Sequence, residues 1–480
     1  MAVGCGLSRR SAAERVVRGG PEAVEKLMGW GARFDRRADG ELELSREGGH
    51  SKPRIIHALG DATGREIQRV VCGAVEAHPR ITTFPDTFVL DVLCAQDGRV
   101  VGALACPKNG GDCAVFAAGA TVLATGGAGQ LYRETTNPTI ATGDGIAIGM
   151  RAGASVCNME FFQFHPTLLY IAGAARVLIS EIVRGAGGVL RDRHGIRFLP
   201  DEHPDAELAP RDVVSRAVFR RMVATEDTSV YLDLSEVKGD PHRLFPGISR
   251  TCRFFGIDIA HDPVPVRPGA HYMIGGIEVD ADGRTSVPGL WAVGECASTG
   301  LHGANRMGSN SLLEALVLGS HGGEVAAGEA AGRGIGEFEV RPPKGREAPP
   351  EGMSFNLQDV TYSLKSLMWR QLGVERDRAS MEDARDKIEL WTRAVRELGA
   401  PEPRTWELSN MLTVAQLTAT AAITREESRG VHYRRDFPDP RAEWLAHTRQ
   451  TPVFDGGEIV ALEVERVPVG ENRPEALPSR

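Results

Sequence analysis

At 480 residues, with 42% apolar and 25% charged side chains, the chain has the composition of a soluble globular protein long enough for two or three domains, which excludes disordered and fibrous architectures. Its net charge of -8 excludes a general attraction for nucleic acid or anionic lipid, so an acidic ligand would have to be met by locally clustered cations. Only seven of the 56 basic residues are lysine, a bias too broad to be functional, and a single arginine therefore carries no signal by itself.

The opening MAVGCGLSRRSAAERV lacks the apolar core of a signal peptide and no run of 18 apolar residues follows, so the expected location is the cytoplasm, with no membrane partner. Residues 10–30 carry apolar positions at helical spacing, whereas GARFDRRADGELELSREGGHS, residues 31–51, is turn-rich and partly extended. A helix is expected over 62–78. The segment 81–106 alternates and breaks at Asp97-Gly98, the mark of a hairpin, and FAAGATVLATGG, residues 116–127, reads as a buried strand ending in paired glycines. GDGIAIGMRAGA, residues 143–154, has helix-compatible spacing. Residues 159–272 mix short apolar segments with many turn signals and read as a separate lobe.

Strand, glycine-rich loop and helix return over 273–342, so the expected fold class is an α/β domain, residues 1–158 and 273–342, with an inserted α+β domain at 159–272. Pro and Gly crowd 341–352 as a linker. SLKSLMWRQLGV (363–374) and MEDARDKIELWTRAVREL (381–398) then read as amphipathic helices of a third, helical domain over 343–445, followed by an extension at 446–480 that ends in the loose tail GENRPEALPSR. The eight cysteines form no C-x-x-C pair and have no histidine cluster at ligand spacing, so free thiols and no metal are expected.

The strongest local signal is GLWAVGECASTGLHGANRMGSNSLLEAL, residues 289–316: a buried strand, a glycine turn with an acid, a loop dense in Gly, Ser, Asn and His, then a helix. Such glycines let backbone approach a flat ligand. The Ser311 and Leu312 amides at the helix start offer N–H donors, and Glu295 can accept from a ligand hydroxyl.

With HGANR and NSLLE in this segment, and with LATGGAGQLYRETTNPTIATGDGIAIGMRAGA, MEFFQFHPT, ISEIVRGAGG, ELAPRDVVSRA, HYMIGGIEVD and ESRGVHYRRDFP in order, the sequence resembles the flavoprotein family of succinate dehydrogenases, fumarate reductases and L-aspartate oxidases. The likeness covers most of residues 1–440. It implies an FAD-binding α/β domain with an inserted capping domain, and it places Thr125, Gly126, Gly127, Asp144, Glu295, Asn310, Ser311 and Leu312 against the cofactor. REGGHS at 46–51, followed by HALGDATG, is similar to the aspartate-oxidising subgroup and implies that Glu47 faces the substrate amine. The family pattern carries over to His165, His271 and Arg306 as carboxylate binders, to Ser180 as a hydroxyl facing substrate, and to Arg211 as the proton-transfer residue.

The resemblance implies a hydride passing from Cα of L-aspartate to FAD, with iminoaspartate leaving and oxygen or fumarate reoxidising the flavin; oxygen would give hydrogen peroxide, and the imine would feed quinolinate formation for NAD, with quinolinate synthase as a partner. The other readings are a soluble fumarate reductase or succinate dehydrogenase flavoprotein, and a remnant that binds dicarboxylate without FAD. One family element is absent: Gly4-Cys5-Gly6 follows no strand, and Gly127-Ala128-Gly129 is followed by Tyr132 where G-x-G-x-x-G needs its third glycine. The flavin-binding domain is thus expected to be incomplete at its N-terminus, lacking its first βαβ unit, with a late start codon favoured as the cause.

Overall fold

Strands Thr121–Leu123 and Leu290–Ala292 lie side by side and parallel, with Val122 opposite Trp291, although more than 160 residues separate them in sequence. Part of the stretch between them, from Phe162 to Met273, is an excursion from the α/β core. The computed structural model describes residues 1–60, 62–334, 356–397, 403–455 and 458–470. The expected linker at 341–352 and the tail after Gly470 lie outside the described residues.

The hairpin turns at Asp97-Gly98, with Gly98 at φ 82°, joining Thr87–Cys94 to Val100–Pro107, and Ala114–Ala117 adds a third antiparallel strand. This last pairing brings Cys113 back beside Cys106, and the two form a disulfide. The expectation of free thiols throughout is corrected here. The contact is made by strand register and not by a recognisable cysteine spacing; the other six cysteines form no disulfide.

The excursion contains a five-stranded antiparallel sheet in the order Val189–Arg191, Val230–Asp233, Val264–Met273, Phe162–Leu169, Val177–Leu178. Helix Arg211–Ala224 packs on it, burying Val214, Ala217, Val218 and Met222. Its apolar cluster is separate from that of the core, in which helix Asp144–Ala152 meets the C-terminal helices.

Helices Leu357–Gln371 and Arg378–Glu397 stand where amphipathic patterning places them. A third, Pro403–Thr424, was not legible. It is buried on almost every side, at Leu408, Asn410, Met411, Val414, Thr418 and Ala421 among others, and a helix surrounded by neighbours has no polar stripe to set a period. The chain then returns to the core. Ala446–Asp455 pairs with Val156–Cys157 and with Glu458–Pro468, so the extension expected after 446 supplies two strands of a second five-stranded sheet. Arg425 fastens this junction with no exposed surface, donating to Glu160 at 2.6 Å, Glu427 at 2.8 Å and the Ala446 carbonyl at 2.7 Å. Among the described residues no helix is long and apolar enough to cross a membrane.

Candidate active site

Gln163 and His165 sit two apart on Phe162–Leu169, and side chains of equal parity on a strand project from one face. The neighbouring strand bulges: Ala270 pairs with Phe164 and Tyr272 with Gln163, so His271 is left over between them. Such an extra residue re-aims a side chain. The His271 ring comes to 5.1 Å, centroid to centroid, from that of His165. Arg306 Nη2 donates to His271 Nε2 at 3.3 Å, and the Arg306 carbonyl accepts from Gln163 Nε2 at 2.7 Å. Arg211, the first residue of its helix, donates from Nη1 to Gln163 Oε1 at 3.2 Å. His165, Arg211, His271 and Arg306 thus gather at one place.

The charges are arranged in alternation. Arg211 Nε donates to Glu181 at 2.6 Å, Arg184 Nη2 donates to the other Glu181 oxygen at 2.9 Å, and Glu47 Oε2 stands 3.8 Å from Arg211 Nη2. Burial pushes the Glu181 carboxyl up, but the two guanidinium groups outweigh it and hold it below the usual range. Burial works against the Arg211 charge, and Glu181 and Glu47 more than compensate, so its pKa is raised. Glu47 is pushed up by burial, only partly offset by Arg211. Arg306 is bonded to no acid among the described residues: burial and then Arg211 bring it down to about 10, against the smaller pull of Tyr272, Glu295 and Glu47. Its guanidinium lies 4.5 Å above the Tyr272 ring, and its Nε and Nη1 are buried with no partner among the described residues. A buried unpaired guanidinium donor is costly unless something anionic meets it.

Both pocket histidines are driven well below the ordinary imidazole pKa, first by burial and then by the arginines. They are neutral donors. His165 Nδ1 accepts from the Thr167 amide at 3.2 Å, which leaves the ring proton on Nε2; His271 Nε2 accepts from Arg306, which leaves its proton on the buried, unpartnered Nδ1. Ser180 is half-buried at the start of the turn before Glu181, its hydroxyl oxygen 3.5 Å from the Ile182 amide.

On the core side, Gly126 has φ 75° with open space at its missing side chain, and Gly127 leaves room for Glu295, whose Oε1 would lie 2.4 Å from a Cβ there. Glu295 accepts from the Met273 amide at 2.9 Å and is pushed up to about 7, chiefly by burial. Helix Asn310–Ala330 starts after Ser309 in a left-handed conformation, with no side-chain cap. Its Ser311 and Leu312 amides have no partner among the described residues. Glycine backbone, free amides and a protonatable acid suit a flat ring system bearing carbonyl oxygens, and FAD fits that donor set. Thr125 is exposed on the same loop, its hydroxyl beside Gly145. Both Asp144 oxygens are taken by the protein, from Thr142 at 2.5 Å and Asn410 at 2.6 Å.

Gln163, Arg184, the bridging role of Glu181 and the buried set behind Arg306 emerge only in the fold. In that set Tyr272 donates to Glu314 at 3.0 Å and His302 lies 2.9 Å from the same carboxylate. Strand parity with His165 was the available signal for Gln163. Nothing local marks the others.

Residues 1–312 match the family described as FAD binding domain, and 361–476 the fumarate reductase flavoprotein C-terminal family. The L-aspartate oxidase of Streptomyces coelicolor is 41% identical, the match spanning 95% of this chain and 83% of that protein. That of Synechocystis sp. is 39% identical, over 93% and 85%. Among solved structures, a variant of the E. coli quinol fumarate reductase FrdA superposes with a TM-score of 0.87 at 31% identity, over 100% of this chain and 86% of that one. Mycobacterium smegmatis Sdh1 superposes at 0.82 with 32% identity, over 99% and 85%.

Proposed function

The chain belongs to the succinate dehydrogenase and fumarate reductase flavoprotein family, and from that footing we propose that it is an FAD-dependent oxidase of L-aspartate, giving iminoaspartate and reducing oxygen to hydrogen peroxide or fumarate to succinate. The observation that carries the reading is the presence in one pocket of an unsatisfied guanidinium, Arg306, and an acid, Glu47, that stands 3.8 Å from Arg211. Besides supporting Arg211, that acid offers an acceptor that a plain dicarboxylate leaves unused and an ammonium group fills.

One carboxylate of the substrate is taken by Arg306 with His271, and the other by His165 from Nε2 and Ser180. Glu47 accepts from the ammonium group and fixes which face of Cα is presented. FAD, when bound, supplies the two-electron acceptor. Arg211 is held fully charged, so it serves as a donor: it steadies the substrate during oxidation, and with fumarate it gives a proton to the substrate carbon and recovers one through Glu181.

The second reading, fumarate or succinate as the principal substrate, is favoured by the Arg211–Glu181–Arg184 bridge, which has no need of an amine. The FAD-loaded protein is expected to form peroxide on addition of L-aspartate and to turn over succinate at least tenfold more slowly in a dye-reduction assay, a difference of about 1.4 kcal/mol in barrier. Equal turnover of succinate overturns the aspartate reading. The product is a reactive imine that another enzyme must consume, and a cytoplasmic quinolinate synthase is the proposed consumer.

A further inference from the structure

The turn that carries Glu47 is held from three sides. The His50 amide donates to the Glu47 carbonyl at 3.1 Å, and Gly49, third of the four residues, has φ 78°, the left-handed geometry a type II turn requires there. A Cβ on Gly48 would lie 2.4 Å from Glu181 Oε1, one on Gly185 2.6 Å from the Arg46 carbonyl, and one on Gly308 2.2 Å from Glu47 Oε2. Three stretches of backbone therefore approach more closely than any side chain permits.

Close approach leaves the turn's position unspecified unless something bonds it there. Among the described residues one side-chain hydrogen bond ties the turn to the loop bearing Arg306: His50 Nε2 to the Gly308 carbonyl, 3.2 Å. His50 is 5% exposed, and its Nδ1 has no partner among the described residues, so the ring is committed to nothing else. A carbonyl only accepts, so the ring donates from Nε2.

We propose that His50 is a positioning residue for amine recognition: its hydrogen bond to Gly308 registers the Glu47 turn against Arg306, so that the acid and the guanidinium are set at the spacing of an amino dicarboxylate. The proposal rests on the reading of Glu47 as the ammonium acceptor. Substrates lacking nitrogen do not engage Glu47, so loss of the latch weakens aspartate and spares fumarate.

The test uses the FAD-loaded full chain, with KM and kcat for L-aspartate oxidation and for fumarate reduction by a reduced dye. His50→Leu is expected to raise the aspartate KM about tenfold, the worth of one hydrogen bond to a carbonyl, and to leave the fumarate KM within about twofold. His50→Gln, whose amide nitrogen can reach where Nε2 was, is expected to recover most of the aspartate KM. If His50→Leu does not fold, His50→Met removes the donor at similar volume and is read the same way. An unchanged aspartate KM, or equal rises for both substrates, overturns the proposal while leaving the aspartate reading intact; a wild-type protein that oxidises no aspartate overturns both.

Discussion

Arg211 and Glu181 are bonded at 2.6 Å, and the same carboxylate accepts from Arg184 at 2.9 Å, so one fully buried acid bridges two buried guanidinium groups. Such a bridge is sensitive to how it is broken. Glu181→Gln keeps a hydrogen-bonding side chain but loses the charge that resupplies Arg211, and turnover with fumarate is expected to fall about 100-fold with KM little changed. Glu181→Ala strands both guanidinium groups, and is expected to cost about 3–5 kcal/mol of stability by denaturant unfolding. A Gln variant with undiminished fumarate turnover would remove Glu181 from the proton path.

Arg306 has the converse arrangement, a cation supported from behind and unpaired in front. Tyr272 offers its ring at 4.5 Å and is itself tied to Glu314, which also bonds Thr299 at 2.5 Å. Arg306→Lys keeps the charge but loses the planar fork, and is expected to raise the KM for aspartate and fumarate alike by about 10- to 100-fold. Steady-state kinetics on both substrates check this: a change confined to aspartate would assign Arg306 to the amine and not to a carboxylate.

Legibility in the sequence followed the range of the interactions. The Asp97-Gly98 hairpin and the 10–29 helix are set by contacts within a few residues, and pattern alone placed them. The motif strings pointed to His165, Arg211, His271 and Arg306, and these meet in space. Glu47 stands 3.8 Å from Arg211 across 164 positions of sequence, a distance no periodicity reports. The return of 446–468 to the core sheet and the all-round burial of Pro403–Thr424 are likewise tertiary facts. The Cys106–Cys113 bond escaped because only the strand register creates it.

Gly127 is an exacting position on the cofactor side. A Cβ there would lie 2.4 Å from Glu295 Oε1, which is also bonded to the Met273 amide and so cannot swing away without losing that bond. Gly127→Ala is expected to weaken FAD binding by at least tenfold, about 1.4 kcal/mol, with the apo fold retained. Flavin absorbance after gel filtration, together with the thermal midpoint of the apoprotein, separates the two effects; full retention of flavin would place Glu295 outside the cofactor contact.

The acid limb of the stability profile follows from four buried histidines. His165, His271 and His432 are driven well below the ordinary imidazole value and His447 down to about 3, in each case first by burial and then by neighbouring arginines. In the unfolded chain each takes up a proton near pH 6.5, whereas in the folded state each refuses it. The unfolded state therefore binds more protons below that pH, and stability present above pH 6.5 is lost as pH falls, by up to about 1.4 kcal/mol per pH unit for each histidine. Glu295, raised to about 7, and Glu47 act in the opposite sense, since a carboxyl that is harder to ionise when folded adds stability as pH falls toward 4.5. Asp144 and Glu407 are raised as well, and His50 is a fifth lowered histidine, so five histidines stand against four carboxyls and the thermal midpoint is expected to drop between pH 7 and pH 5. His432 lies outside the pocket, its ring accepting from Arg376 and donating to the Arg425 carbonyl. His432→Gln should therefore flatten the slope without altering the KM for aspartate, and a wild-type midpoint that is level or rising over that range would show that these rings are not neutral in the fold.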